Sequence, residues 1–171
     1  MGVGDDRKFD TEILRHIDAA YNLARWLVRD ASEADDVVQE SYVRALKYRD
    51  GCAGSNVRAW LLSIVRNTCY TWLTKNHGWT EFDELEHGGS YDAAEADSIA
   101  RIDAERLRAL LFELPTEYRE ILVLREFEEL SYREIAEVAD IPIGTVMSRI
   151  ARARKRLRTA AAEFMEAHTT R

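Results

Sequence analysis

One stretch limits the possible fold more than any other: Ser131–Arg158, SYREIAEVADIPIGTVMSRIARARKRLR. Ser131 followed by Glu134 is a capping-box pattern, which opens a helix by satisfying its first backbone N–H groups. That helix is short, running through about Val138. Ala139-Asp140-Ile141 forms a turn, and Pro142 sits where a first helical turn tolerates a missing N–H. Ile135, Ala136, Ile141, Val146 and Ile150 have the spacing that lets two helices cross steeply, and the small Ala136 admits a close approach. The second helix runs from near Pro142 past Arg158. The pattern predicts a helix-turn-helix.

The remainder points to the same class. Ala, Leu, Arg and Glu dominate, β-branched residues are sparse, and 171 residues contain only two prolines and eight glycines. This composition predicts an all-α protein with no sheet. A hydrophobic share of 46% supports a packed core rather than global disorder. The first helix is expected from about Thr11 to Arg29, with Ile13, Ile17, Ala20, Ala24 and Leu27 on one face. Ser32, with Asp35 three residues on, predicts the start of a second helix whose apolar face is Ala34, Val37, Val38, Ser41, Tyr42, Ala45 and Leu46. Asp50–Asn56 is turn-rich. A third helix carries Val57, Trp60, Leu61, Ile64, Val65, Thr68 and Trp72 and ends near Asn76–Gly78. Helices resume over Ile99–Phe112, break at Leu114-Pro115, and continue from Thr116 to about Phe127.

Charge divides this run of helices. Glu81, Asp83, Glu84, Glu86, Asp92, Glu95 and Asp97 equal the whole net charge of −7, and no Lys or Arg lies among them. With Gly88-Gly89-Ser90 and no periodicity, residues 78–98 read as a flexible acidic linker. The expected organisation is therefore two small helical domains, 1–77 and 99–171, the second holding the helix-turn-helix. The basic counterpart lies at Gly144–Arg158, with Arg149, Arg152, Arg154, Lys155, Arg156 and Arg158 and no acid.

A helix in the major groove reads bases near its N-terminus and holds phosphates along its sides. Met147, Ser148, Arg149, Arg152 and Arg156 are expected to face outward. Arg grips guanine or phosphate, and Ser does either more weakly. A solvated basic helix end, favoured by its own dipole, is the plainer alternative; it leaves the two-helix spacing unexplained. No catalytic residues are expected: there is no glycine-rich phosphate loop and no Gly-x-Ser-x-Gly. Neither metal nor cofactor is expected, because His16, His77, His87 and His168 are scattered. Cys52 and Cys69 stand alone, which suits a reducing cytoplasm. The polar N-terminus and the lack of a long apolar run argue against a signal peptide or membrane insertion.

Leu114-Pro115, Arg119, Leu122, Leu124, Phe127 and the helix-turn-helix stretch closely resemble region 4 of the extracytoplasmic-function (ECF) sigma factors. DASEADDVVQESYVRAL followed by NVRAWLLSIVRN resembles region 2 of the same family. The resemblance implies an RNA polymerase sigma factor that directs promoter-specific initiation. Its partners would be core polymerase (the β′ coiled coil and the β flap), promoter DNA and an anti-sigma factor. Asp35, Asp36, Gln39 and Glu40 match the segment that docks on the β′ coiled coil. Their placement fits, since Asp36, Gln39 and Glu40 share a helix face and would complement arginines on a partner helix.

Arg49–Asn56 and the following helix match the part that captures a flipped −10 base, a step needing a pocket and nearby basic or aromatic groups. Arg49, Ser55, Asn56, Arg66, Asn67 and Lys75 are the candidates, with Tyr48 nearby; the register of Trp60 assigns it to the core. The −35 element falls to Met147, Ser148, Arg149, Arg152, Arg154 and Arg156. Asp140 stands where many members have Gly, and Asp tolerates left-handed backbone well enough to keep the turn. An autonomous regulator would need a sensory domain, usually α/β, whereas Met1–His77 reads as helical throughout. An inhibitory adaptor mimicking a sigma factor would not need six basic residues on its last helix.

Overall fold

The structure, a computed structural model, describes residues 3–52, 56–80 and 102–169. The described residues are helical with no strand. The acidic stretch 81–101, including most of the expected flexible linker, and Ser55 lie outside them.

The N-terminal unit holds α1 (Val3–Leu14), α2 (Ile17–Val28), α3 (Ala31–Lys47), a 3₁₀ turn (Arg49–Cys52) and α4 (Val57–His77). The expected helix Thr11–Arg29 is thus two helices. At the break the Arg15 and His16 N–H groups reach Glu12 and Ile13 carbonyls, three residues back. The turn lets α1 lie on α4, where Phe9 meets the Trp60 ring edge-on at 5.9 Å. Trp60 is accordingly half-buried against the core. α2 closes on Arg29, in left-handed backbone at φ 68°. Asp30 follows in extended conformation and accepts the Glu33 N–H at 3.0 Å, so Asp30, not Ser32, caps α3. The cap is fixed by where the left-handed Arg29 releases the chain. Leu23, Leu27, Val37, Leu61, Leu62 and Val65 fill the centre of this unit. α4 ends at Gly78, φ 61°, whose N–H bonds the Leu73 carbonyl.

The C-terminal unit begins with α5 (Ala104–Glu113), capped by Asp103, and is broken at Leu114-Pro115. Ile102 and Asp103 precede the helix, and the expected start at Ile99 lies outside the described residues. α6 (Thr116–Leu122) widens into a π turn over Val123–Phe127, where the Glu128 N–H reaches the Val123 carbonyl at 3.1 Å. Then come α7 (Tyr132–Ala139) and α8 (Ile143–Thr169). Ser131 accepts the Glu134 N–H while the Glu134 carboxylate accepts the Ser131 N–H, so both halves of the expected capping box form. Asp140 takes the left-handed conformation at φ 53°. Val146, Ile150, Ala153 and Leu157 of α8 are buried in one stripe.

The two units are packed together, and α6 lies at the junction. All residues from Glu117 to Leu122 are buried, because α8 covers one side of the helix and the N-terminal unit covers the other. An ionisable side chain in that position must be paired or strongly hydrogen-bonded. Glu117, Arg119 and Glu120 each are. The Trp79 indole N–H donates to Glu117 at 2.8 Å. Arg119 donates to the Trp26 and Leu114 carbonyls at 2.8 and 2.9 Å. Glu120, fully buried, accepts from Arg66 Nε at 2.6 Å and from the Tyr70 hydroxyl at 2.8 Å.

Candidate nucleic-acid interface

On α3, Asp35, Asp36, Gln39 and Glu40 are all exposed, while Ala34, Val37, Val38 and Ser41 on the opposite side are buried. Glu40 pairs with Arg44 one turn on, at 2.6 Å. Val43 continues the same surface and is 63% exposed. The result is an acidic helix face ending in an apolar side chain.

The residues expected to capture a base divide into two groups. Asn67 and Lys75 are exposed along α4, a little over two turns apart at ~3.6 residues per turn. Arg49, in the 3₁₀ turn, is paired with Asp6 at 2.8 Å, with the exposed Tyr48 ring before it. Arg66 and Asn56 instead face the C-terminal unit. Arg66 is held by Glu120 and lies 4.3 Å from the Tyr70 ring centroid. Asn56 caps α4 through the Ala59 N–H and donates to Glu134 at 2.8 Å. Burial pushes the Glu120 carboxyl up against the pull of Arg66, and it pushes the Tyr70 hydroxyl well up.

On α8 the outward surface is narrower than the sequence suggested. Met147 is 53% exposed, Arg156 is exposed and Arg152 is half-buried. Ser148 bonds the Thr145 carbonyl of its own helix at 3.1 Å. Arg149 is only 8% exposed, a correction to its expected outward placement. The cause is the 3.6-residue period: Arg149 borders the stripe of Val146 and Ile150, so packing covers its stem. Arg156 lies over the Tyr118 ring at 5.4 Å. Arg154 turns to the opposite flank and pairs with Glu126 in the π turn. There it edges an open hollow of about 290 Å³ whose walls include Leu107, Leu111, Leu122, Phe127 and Leu157. Phe127 is 48% exposed at its mouth. α8 thus carries Arg149, Arg152 and Arg156 on one flank and Met147, Arg154 and Arg158 on the other.

The model of Sigma-70 region 2 matches residues 13–79, and that of Sigma-70 region 4 matches residues 104–157. The RNA polymerase sigma-H factor of Pseudomonas aeruginosa is 34% identical over 164 residues, spanning 89% of this chain and 85% of the relative. The chain belongs to the ECF sigma factor family. The ECF sigma-E factor of Escherichia coli is 31% identical over 165 residues, with the same shares of the two chains covered. Among solved structures, the sigma factor RpoE from Bartonella quintana, in complex with the anti-sigma factor NepR, superposes with a TM-score of 0.69 at 27% identity. That match covers 90% of this chain and 96% of the other. CnrH, in complex with the cytosolic domain of CnrY, gives 0.63 at 26% identity, covering 94% and 89%.

An ECF sigma factor directs RNA polymerase to promoters, and the two helical units are its regions 2 and 4. Among the described residues no helix is long and apolar enough to cross a membrane. None of them forms a group of three or more His, Cys, Asp or Glu suited to a metal. The contacts joining regions 2 and 4 were not foreseen from sequence. The available signal was Glu117, Arg119 and Glu120 lying amid Tyr118, Ile121 and Leu122, charges on a helix with no free face.

Proposed function

We propose that this sigma factor docks on the β′ coiled coil of core polymerase through Asp35, Asp36, Gln39 and Glu40. The supporting observation is the exposed acidic face of α3, opposite the buried Ala34, Val37, Val38 and Ser41. Such a face steers and orients a basic partner helix. The open apolar hollow beside Phe127 suits an apolar tip of the β flap. Arg152 and Arg156, with Met147 and Ser148 near the helix N-terminus, meet the −35 element; Arg149 and Arg154 hold phosphates at the flanks of α8. Arg49, Ser55, Asn56, Arg66, Asn67 and Lys75 serve the −10 element, and Tyr48 offers an aromatic surface for a splayed base. The chain carries out no chemistry of its own and works in the cytoplasm. An anti-sigma factor restrains it, as NepR accompanies the Bartonella protein.

Run-off transcription with purified core polymerase, with and without this chain, tests the reading. Promoter-specific transcripts are expected only when the chain is present. Tight, sequence-specific binding by the chain alone at physiological salt, without stimulation of polymerase, would overturn it in favour of an autonomous regulator.

A further inference from the structure

Among the described residues the exposed large hydrophobic side chains are Leu14, Val43, Tyr48, Phe127, Ile143 and Met147. Val43 continues the acidic face of α3, Tyr48 precedes Arg49, Phe127 stands at the mouth of the hollow, and Leu14 ends α1. Ile143 and Met147, 50% and 53% exposed, stand about one turn apart at the start of α8. Side chains four residues apart on a helix are neighbours, with Cβ atoms about 5–6 Å from one another. Gly144 beside them is exposed, and nothing lies within 4 Å of where a Cβ would stand, so the backbone there is open to close approach. The pair forms an apolar tip at the end of α8 that reads base edges when such a helix lies in the major groove.

The tip has little else to offer a base. From Ile143 to Ser148 no side chain is charged. The first cation, Arg149, is only 8% exposed, and Arg152 comes about two and a half turns after Ile143 at ~3.6 residues per turn. Ser148 donates its hydroxyl proton to the Thr145 carbonyl. A guanine needs a guanidinium or ammonium for bidentate reading, and an adenine needs a side-chain amide; residues 143–148 supply neither. Thymine, alone among the four bases, presents a methyl group in the major groove. An amine or carbonyl placed against the tip would lose water without gaining a partner.

We propose that Ile143 and Met147 select thymine in the −35 element by packing on its 5-methyl group. The inference rests on the placement of α8 in the −35 groove, and adds the base preferred there and the two side chains that prefer it. Bases of one strand follow one another every ~3.4 Å, so side chains about 5–6 Å apart address thymines about two steps from one another at most. The unbranched Met147 adapts to the methyl it meets, whereas the β-branched Ile143 is stiff and fixes the register.

The test uses holoenzyme assembled with the full chain and a duplex promoter selected from a library randomised over the −35 element. Each thymine of the selected element, on either strand, is replaced in turn by uracil, which removes the methyl and keeps the base pair. The wild-type holoenzyme should bind about fourfold more weakly at one or two of these positions, as burial of one methyl group implies. Ile143→Ala/Met147→Ala should bind thymine and uracil duplexes equally, with a melting temperature near that of wild type because both side chains are exposed. Met147→Arg should move the preference at an affected position from thymine to guanine, which arginine takes bidentately. Indifference to uracil at every position, with the −35 sequence still discriminated, would overturn the proposal. An equal loss on uracil by wild type and the alanine variant would also overturn it, by placing the methyl against another group. Holoenzyme indifferent to the −35 sequence altogether would remove α8 from the groove, and the proposal with it.

Discussion

The Nε of Arg119 donates to the carbonyl of Trp26, 93 residues earlier in the chain, at 2.8 Å. That bond ties the last turn of α2 to the centre of region 4. The same guanidinium reaches the Leu114 carbonyl at 2.9 Å and the Phe112 carbonyl at 3.3 Å, so it also holds the turn between α5 and α6. Burial lowers the Arg119 pKa to about 10, which leaves the side chain charged at neutral pH.

Arg119→Ala should destabilise the protein by about 3–5 kcal/mol, because it leaves buried carbonyls without donors. Arg119→Lys should recover only part of this, since a single ammonium lacks the planar fork that reaches several acceptors. Urea denaturation of the three proteins checks both expectations; a loss under 1 kcal/mol for Ala would contradict the assigned role.

The capping box of α7 predicts a pH dependence. The Ser131 backbone N–H, and after it the Ser131 hydroxyl, hold the Glu134 carboxyl below its ordinary value of 4.5. A carboxyl depressed in the folded state contributes stability that is present above the ordinary value and lost as pH falls through the depressed one. Glu134→Gln should therefore lower the melting temperature at pH 7, with the gap from wild type closing at acid pH. Ser131→Ala should cost about 0.5–2 kcal/mol. Asp140→Gly should be neutral or mildly stabilising, because glycine adopts φ 53° without strain.

Asp36→Arg should weaken binding to core polymerase while leaving the helical content unchanged. Asp36 is exposed on α3, and reversing its charge replaces attraction by repulsion. Affinity for core polymerase, measured beside circular dichroism, decides the matter. Unchanged affinity removes Asp36 from the docking face.

Arg152→Ala should cost about 1–3 kcal/mol in promoter recognition if Arg152 reads a base. Loss confined to the matched −35 site marks a base contact. Uniform loss on all sites, with a salt slope lower by about one, marks a phosphate contact. No loss on any site would take this flank of α8 out of the groove.

Local chemistry was legible in the chain. Ser131 and Glu134 lie three residues apart, and the left-handed turn at Asp140 and the end of α4 at Gly78 are decided by backbone preferences of single residues. The alternation that buries Val37 and Val38 also dictates that Asp36, Gln39 and Glu40 face solvent. Where local signals compete, the structure chose differently: Asp30 caps α3 ahead of Ser32, and the chain turns at Arg15-His16 so that Phe9 reaches Trp60. Arg149 carries the same charge as Arg152, yet its place beside Val146 and Ile150 buries it.

The sequence by itself determined the all-α class, the acidic face of α3 and the presence of the helix-turn-helix, because all of these follow from residues within a few turns of one another. Only the tertiary structure decided that regions 2 and 4 meet and that Arg66 is held by Glu120, 54 residues away. A charge on a helix is a solvated side chain until a partner element covers it. Once covered, the cost of burying it makes a specific partner necessary, and that partner is a property of the packed chain.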